Sequence, residues 1–381
     1  MPEARVQCLG LVDRIGQEGS TISYKYFRNG KEHEKKEHLP VGDHAAGLRA
    51  AAKWLTHPDA GVIKSPHEID VVGHRVVHGG ESFAQTTIIT PEVKQEIRKL
   101  FPIAPLHNPA NYLGIEVAEK IFSRATQVAV FDTAFHQSMP PVTFRMAIPN
   151  ELYDQHGIRA YGFHGTSHKY ISAQAIAYLR KENTKIATIH LGNGCSMCAV
   201  LDGKCIDTSM GFGPMNGLIM GTRAGDIDQS VIFHLMKELN YSPDDVNTIL
   251  NKKSGMLGLT GHSDMRDVKM EFKAGKKEAI LAYEMYAYRI KKYIGSYAAV
   301  LNGLDAIVFT AGVGENDDLT RSLVCRDLDV LGIRLDERRN KSLEKGIAEI
   351  QMSDARVKIL VIPTNEELEI AHQSMALCSR G

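Results

Sequence analysis

The chain has 381 residues, with Lys plus Arg and Asp plus Glu both at 45 and a formal net charge of +0. That balance leaves no global field to recruit nucleic acid or an anionic membrane, so any anion must be held locally. Six cysteines are too sparse for a disulfide framework, no apolar run reaches membrane-spanning length and no signal peptide is read, so a cytoplasmic protein of two ordinary domains is expected.

In chain order, helices are predicted over 43–55, 91–100 and 108–122, where apolar residues recur at three-and-four spacing. An apolar strand carrying Arg75 closes on the paired glycines Gly79 and Gly80, and a second strand over 128–132 ends at Asp132. Next comes Tyr161-Gly162-Phe163-His164-Gly165-Thr166-Ser167-His168, leading into a helix over 169–180 whose Ile171, Ala175, Ile176 and Leu179 make a buried stripe. A strand over 186–190 then runs into Leu191-Gly192-Asn193-Gly194, followed by strands over 197–201 and 204–207 joined at Asp202-Gly203. Helices over 226–239, 243–251 and 276–301 precede a strand over 306–310, the glycine turn Ala311-Gly312-Val313-Gly314-Glu315-Asn316, a helix over 336–345 and a last strand over 359–363. Strands alternating with helices imply an α/β fold with ligands beyond the carboxyl ends of the strands.

The chemistry-bearing residues stand at those ends. His164 opens a helix, where backbone N–H groups lack partners and the dipole favours an anion such as a phosphoryl group; a satisfied histidine at a helix start is the plain alternative. The two glycine turns let backbone N–H groups approach phosphate oxygens, although a glycine-rich turn taken alone is more often a plain tight turn than a phosphate cradle. Arg75, and Arg223 in Gly221-Thr222-Arg223-Ala224-Gly225, sit among glycines and apolar residues, and a planar guanidinium suits the spread charge of a phosphoryl group in transfer. Cys195-Ser196-Met197-Cys198 has no second pair to complete a zinc site. His164 with His168, and His74 with His78 on one strand, are four apart but lack a third ligand.

His74 to Gly80, Ala104-Pro105-Leu106-His107-Asn108-Pro109, Phe131-Asp132-Thr133-Ala134-Phe135-His136, Tyr161 to His168, Gly221-Thr222-Arg223, Asp264-Met265-Arg266-Asp267, Gly312 to Asn316 and Pro363-Thr364-Asn365-Glu366-Glu367 resemble the acetate kinase family along almost the whole chain. The resemblance implies two duplicated ribonuclease H-like α/β domains of the sugar kinase, Hsp70 and actin type around a cleft, at 1–133 and 134–366, with helix 367–381 returning to the first. It implies direct in-line transfer of the ATP γ-phosphoryl group to acetate, giving acetyl phosphate and ADP, with Mg²⁺ required and Mn²⁺ an alternative. Asp132, His164 and Arg223 would be catalytic, and Arg75 would hold the acetate carboxylate and phosphoryl group. Because acetate is already ionised, Asp132 is read as orienting the site rather than removing a proton. Val77, Leu106, Phe163 and Pro214 would line the methyl pocket. One methylene discriminates by only about 1–3 kcal/mol, so propionate is a second substrate to expect. His190, Leu191, Gly192, Asn193, Gly194, Asp264, Met265, Arg266, Gly312, Val313, Gly314, Glu315 and Asn316 would hold ATP, and Glu366 the metal. A homodimer is implied, with no nucleic acid or membrane partner.

The chain opens directly on what resembles the family's third strand. The family's first phosphate loop, with its metal-site asparagine, is therefore expected to be missing, either because an internal methionine stands at the start or because the protein is a short, weakly active nucleotide binder.

Overall fold

The structure, a computed structural model, describes residues 4–105 and 107–379. By internal packing the chain divides into two units, Met1–Ala134 with Glu367–Gly381, and Phe135–Glu366.

In the first unit, β1 (Cys8–Asp13), β2 (Thr21–Arg28) and β3 (Lys31–His38) form an antiparallel meander. Period-two alternation makes β2, burying Ile22, Tyr24 and Tyr26 on one face. The Asn29-Gly30 turn after it has φ of 53° and 73° at its two residues, the mirror-image turn that right-twisted strands favour. A second sheet, in the order β4-β6-β5, joins β4 (Val71–Val76), β5 (Thr87–Ile88) and β6 (Thr126–Phe131). Its core of Val76, Ile97, Ile115 and Phe131 is closed by Phe83, stacked 4.4 Å from Phe131. Gly73 of β4 is required by close approach, because a Cβ there would stand 2.6 Å from Ile370 and 2.7 Å from Ser374 of the helix Glu366–Cys378. That helix therefore lies directly on β4.

The second unit carries β7 (Lys185–Leu191), β8 (Cys195–Leu201), β9 (Lys204–Thr208), β10 (Ala306–Thr310), β11 (Ala348–Glu349) and β12 (Lys358–Val361) in one mixed sheet, ordered β11-β12-β10-β7-β8-β9. A meander of β7, β8 and β9 extended by β10 and β12 parallel to β7 is the ribonuclease H-like order that the sequence leads one to expect. Strands β7 and β10 are buried almost throughout because helices cover them: Gly165–Leu179 packs on β7 and β10, Lys277–Val300 packs on β7 and β8, and Ala311–Asn316 packs on β7 and β10. No described helix is long and apolar enough to cross a membrane.

Several element bounds differ from expectation. The helix after His164 begins at Gly165, not at 169, with His164 itself left-handed at φ 58°. The helix expected over 226–239 spans Gln229–Lys237, since Asp226 instead accepts from the Gly217 N–H and the Tyr293 hydroxyl while Asp228 caps Ser230. That expected over 336–345 runs only Glu337–Lys341. Residues Ala311–Asn316 form a short helix rather than an open turn, because Glu315 folds back to accept from the Ala311 N–H at 2.8 Å. His74 and His78 do not share a strand, as β4 ends at Val76.

Candidate active site

In the first unit the parallel register of β4 and β6 sets Arg75 opposite Val130, and Asp132 follows the end of β6. Arg75 Nε reaches Asp132 Oδ1 at 3.1 Å and Oδ2 at 2.9 Å, while Nη2 reaches Oδ2 at 2.7 Å. The carboxylate is 1% exposed and the guanidinium side chain 42%, so a buried anion fixes one edge of a cation that still faces solvent. Beside them the Val77 N–H donates to Asn111 Oδ1 at 3.1 Å, holding the backbone of the half-buried Val77. His78 is fully buried, with Nδ1 accepting from the Gly80 N–H at 3.0 Å, and burial lowers its imidazole to about 4. Leu106 lies outside the described residues.

In the second unit the ends of β7 and β10 are level, with His190 paired to Thr310. Gly192–Gly194 turns between β7 and β8, and the third residue of that turn gathers two predicted side chains. A Cβ built on Gly194 would stand 3.4 Å from His164 Nε2 and 3.7 Å from Arg223 Nη1. Arg223 is held by donating from Nη1 to the Pro214 carbonyl at 3.0 Å, and burial lowers its guanidinium. Its loop is docked on the turn: the Gly221 N–H donates to Asn193 O at 3.0 Å, and a Cβ on Gly221 would fall 2.1 Å from Asn193 Oδ1. Any larger residue there would have to displace the Asn193 side chain.

His164 is fixed from two sides. Its ring stacks on His190 with centroids 4.3 Å apart, and Nδ1 lies 2.8 Å from Ser196 Oγ. Ser196 Oγ is also 2.8 Å from His168 Nε2, and His168 Nδ1 is 2.8 Å from Thr188 Oγ1. Thr188 donates onward to the Cys198 carbonyl at 3.3 Å, so it accepts from His168 Nδ1–H. Burial, reinforced by His136 and His190, keeps His168 neutral by lowering its imidazole far below the usual range. Its Nε2 therefore accepts from Ser196, whose oxygen is left to accept from His164 Nδ1–H. His164 and His168 thus share a hydroxyl. They are not arranged as a metal pair.

A cavity of about 780 Å³ opens against this turn, lined by Gly192, Asn193, Asp264, Met265, Arg266, Gly312, Val313 and Asn316 among the residues expected from sequence. Its other lining residues, Ser263, Lys269, Met270, Lys273 and Asp317, were missed. Arg266, Lys269, Met270 and Lys273 recur three and four apart on the helix Met265–Lys273, a periodicity that was readable as one face. Lys269 is partly buried, which would lower its ammonium, but ion pairs to Asp317 at 2.7 Å and Asp318 at 2.6 Å hold it above the usual value. Asp264 caps that helix and is held near 2 by hydrogen bonds from Arg266. His190, Leu191, Gly194, Gly314 and Glu315 are not among the cavity's lining residues. Leu191 is fully buried, and the Glu315 carboxylate is committed to the Ala311 and Thr364 N–H groups. Phe163 is buried, Pro214 half-buried, and Glu366 half-buried as the first residue of its helix.

The acetokinase family matches residues 2–372. The acetate kinase of Flavobacterium johnsoniae is 58% identical over 373 residues, covering 98% of this chain and 93% of the relative. The crystal structure of Porphyromonas gingivalis acetate kinase superposes with a TM-score of 0.90 at 42% identity, covering 99% of this chain and 95% of that one. A propionate kinase from Francisella tularensis superposes at 0.89 with 39% identity, covering 98% and 94%. The resemblance read from the motifs is borne out: the chain belongs to the acetokinase family of phosphotransferases with a carboxyl acceptor, ATP as co-substrate and a divalent metal.

Proposed function

We propose that the chain transfers the ATP γ-phosphoryl group in line to acetate, with the Arg223 guanidinium and His164 in its imidazolium form, which carries a proton on Nε2 as well as the one Nδ1 gives to Ser196, as donors to the transferring group. The observation that carries this reading is the convergence of His164 Nε2 and Arg223 Nη1 on Gly194, next to a cavity floored by two strand-end segments. Phosphoryl transfer asks for positioning and charge stabilisation rather than covalent chemistry, which is what two anchored donors supply. The transferring group is held by these donors while the nucleotide phosphates lie against the Gly192–Asn193 turn and the N-terminal end of the helix Ala311–Asn316.

Arg75 binds the acetate carboxylate, and Asp132 holds its planar guanidinium correctly aimed. Acetate needs no base, so Asp132 orients rather than accepts a proton. By the resemblance, Val77, Leu106, Phe163 and Pro214 are the residues whose size sets the acyl-chain preference. The half-buried carboxylate of Glu366 is the hard oxygen donor suited to Mg²⁺, with Mn²⁺ a working substitute; when bound, the cation neutralises charge on the phosphate oxygens. The resemblance further supports a homodimer working in the cytoplasm.

Trapping acetyl phosphate as its hydroxamate, with acetate and propionate compared at matched concentrations, tests the reading. Acetate is expected to give the higher kcat/KM. A preference for propionate would reassign the acceptor, and no product from either acid would remove the proposal.

A further inference from the structure

Beneath the turn that carries His164, the second unit holds a cluster that phosphoryl transfer does not use. Cys198 on β8 and Cys205 on β9 set their Sγ atoms 3.2 Å apart, and His136 Nδ1 lies 3.2 Å from Cys205 Sγ. The three donor atoms all fall within 4.8 Å of one another, and all three residues are 0% exposed. The CxxC spacing in the sequence pointed elsewhere. Residues three apart on a strand face opposite sides, so Cys195 turns away to the Tyr286 hydroxyl and the Gly192 carbonyl, each at 3.3 Å, while Cys205 comes from the next strand to meet Cys198.

His136 is prepared as a ligand. Its Nε2 lies 3.0 Å from the Phe163 carbonyl, which can only accept, so the proton sits on Nε2 and Nδ1 turns a lone pair toward the sulfurs. A histidine whose far nitrogen donates to a backbone carbonyl is the usual outer support of a metal-bound imidazole. Cation–sulfur distances of about 2.3 Å separate two tetrahedral thiolates by roughly 3.8 Å, so the sulfurs, 3.2 Å apart, need open by about 0.6 Å. The carbonyls of Ala199 and Asp207, 3.7 and 3.6 Å from the two sulfurs, offer oxygen for a remaining position.

We propose that His136, Cys198 and Cys205 form a closed structural site for a thiophilic divalent d¹⁰ cation, of which Zn²⁺ is the representative. Binding releases the two thiol protons and forms two cation–thiolate bonds and one cation–imidazole bond, with no change of oxidation state. Two thiolates cancel a 2+ charge, which lets a site with no solvent contact stay neutral; a monovalent cation would leave a buried negative charge. Through the His136 to Phe163 hydrogen bond, the cation would anchor the backbone one residue before His164.

The test is metal content by mass spectrometry on the full chain, purified untagged and without chelator from zinc-supplemented culture, with X-ray absorption at the zinc edge. About one Zn²⁺ per chain is expected, in a shell with two sulfurs near 2.3 Å and a nitrogen near 2.0–2.1 Å. Cys198→Ser and Cys205→Ser should each lose it, while Cys378→Ser keeps it. The absorption spectrum is read on the unaltered protein, so a variant that fails to fold does not decide the matter. Substoichiometric zinc, a shell without sulfur, or a Cys198–Cys205 disulfide in non-reduced peptides would overturn the site. None of these results depends on phosphoryl transfer, whose metal is distinguished by element.

Discussion

Ser196 stands between His164 and the protein interior, its Oγ 2.8 Å from His164 Nδ1. The same oxygen is 2.8 Å from His168 Nε2, so one hydroxyl transmits a fixed proton order from the sheet to the side chain that faces Gly194. Ser196→Ala leaves His164 stacked on His190 but free to rotate about that contact. A net hydrogen bond of about 0.5–1.5 kcal/mol corresponds to a loss in kcat of roughly 2–13-fold, with KM for ATP little changed. The buried His168 also loses a partner, so urea denaturation should show the variant less stable by about 1–3 kcal/mol. Unchanged kcat in a folded variant would show that His164 does not depend on this support.

Arg223 is the costlier loss. Arg223→Ala removes a guanidinium already oriented by the Pro214 carbonyl, and steady-state kinetics should show kcat lower by about 10³ with modest change in nucleotide binding. Lysine, a point donor, should recover only part of it. A variant within tenfold of the parent rate would remove Arg223 from the chemical step.

Asp132→Asn keeps the shape of the first unit's site while weakening the two-edged grip on Arg75. Acetate KM and kcat should both worsen, by about 10-fold or more together, because the guanidinium must now be ordered by the substrate. Isothermal titration of ATP should find its affinity preserved. If ATP affinity falls and acetate KM holds, the assignment of this pair to the acceptor is wrong.

Buried histidines make the fold acid-sensitive. His78 is held near 4 by burial, against an ordinary 6.5, so below pH 6.5 the unfolded chain takes up a proton that the folded chain refuses. Stability from this group is full above 6.5 and is lost as pH falls toward 4, at about 1.4 kcal/mol per pH unit. His168, also lowered by burial, acts with the same sign. Urea midpoints measured between pH 7.5 and 5 should fall, and His78→Gln, which keeps an acceptor for the Gly80 N–H, should flatten the slope.

Sequence reading was strongest where short-range rules decide. The apolar runs within β7 and β10 and the Asp202-Gly203 turn are local features, and each is found at its expected place. His164, Arg223 and Gly194 were each singled out as candidates, but nothing in their spacing told that one glycine gathers the other two. What remained hidden depends on partners distant in the chain. Glu315 reads as a phosphate-loop residue until Ala311 and Thr364 are seen donating to it. Ser196 sits inside a CxxC that drew attention to its cysteines, whereas its importance comes from His164 and His168, 32 and 28 residues away. Cys205 has no motif at all, and only the pairing of β8 with β9 brings it to Cys198.

The most direct test of phosphoryl transfer is stereochemical. With ATP made chiral at the γ-phosphorus by oxygen isotopes, a single in-line transfer to acetate between fixed donors predicts acetyl phosphate of inverted configuration. Retention would mean that a group on the protein is phosphorylated first, and would contradict the account of His164 and Arg223 as donors alone.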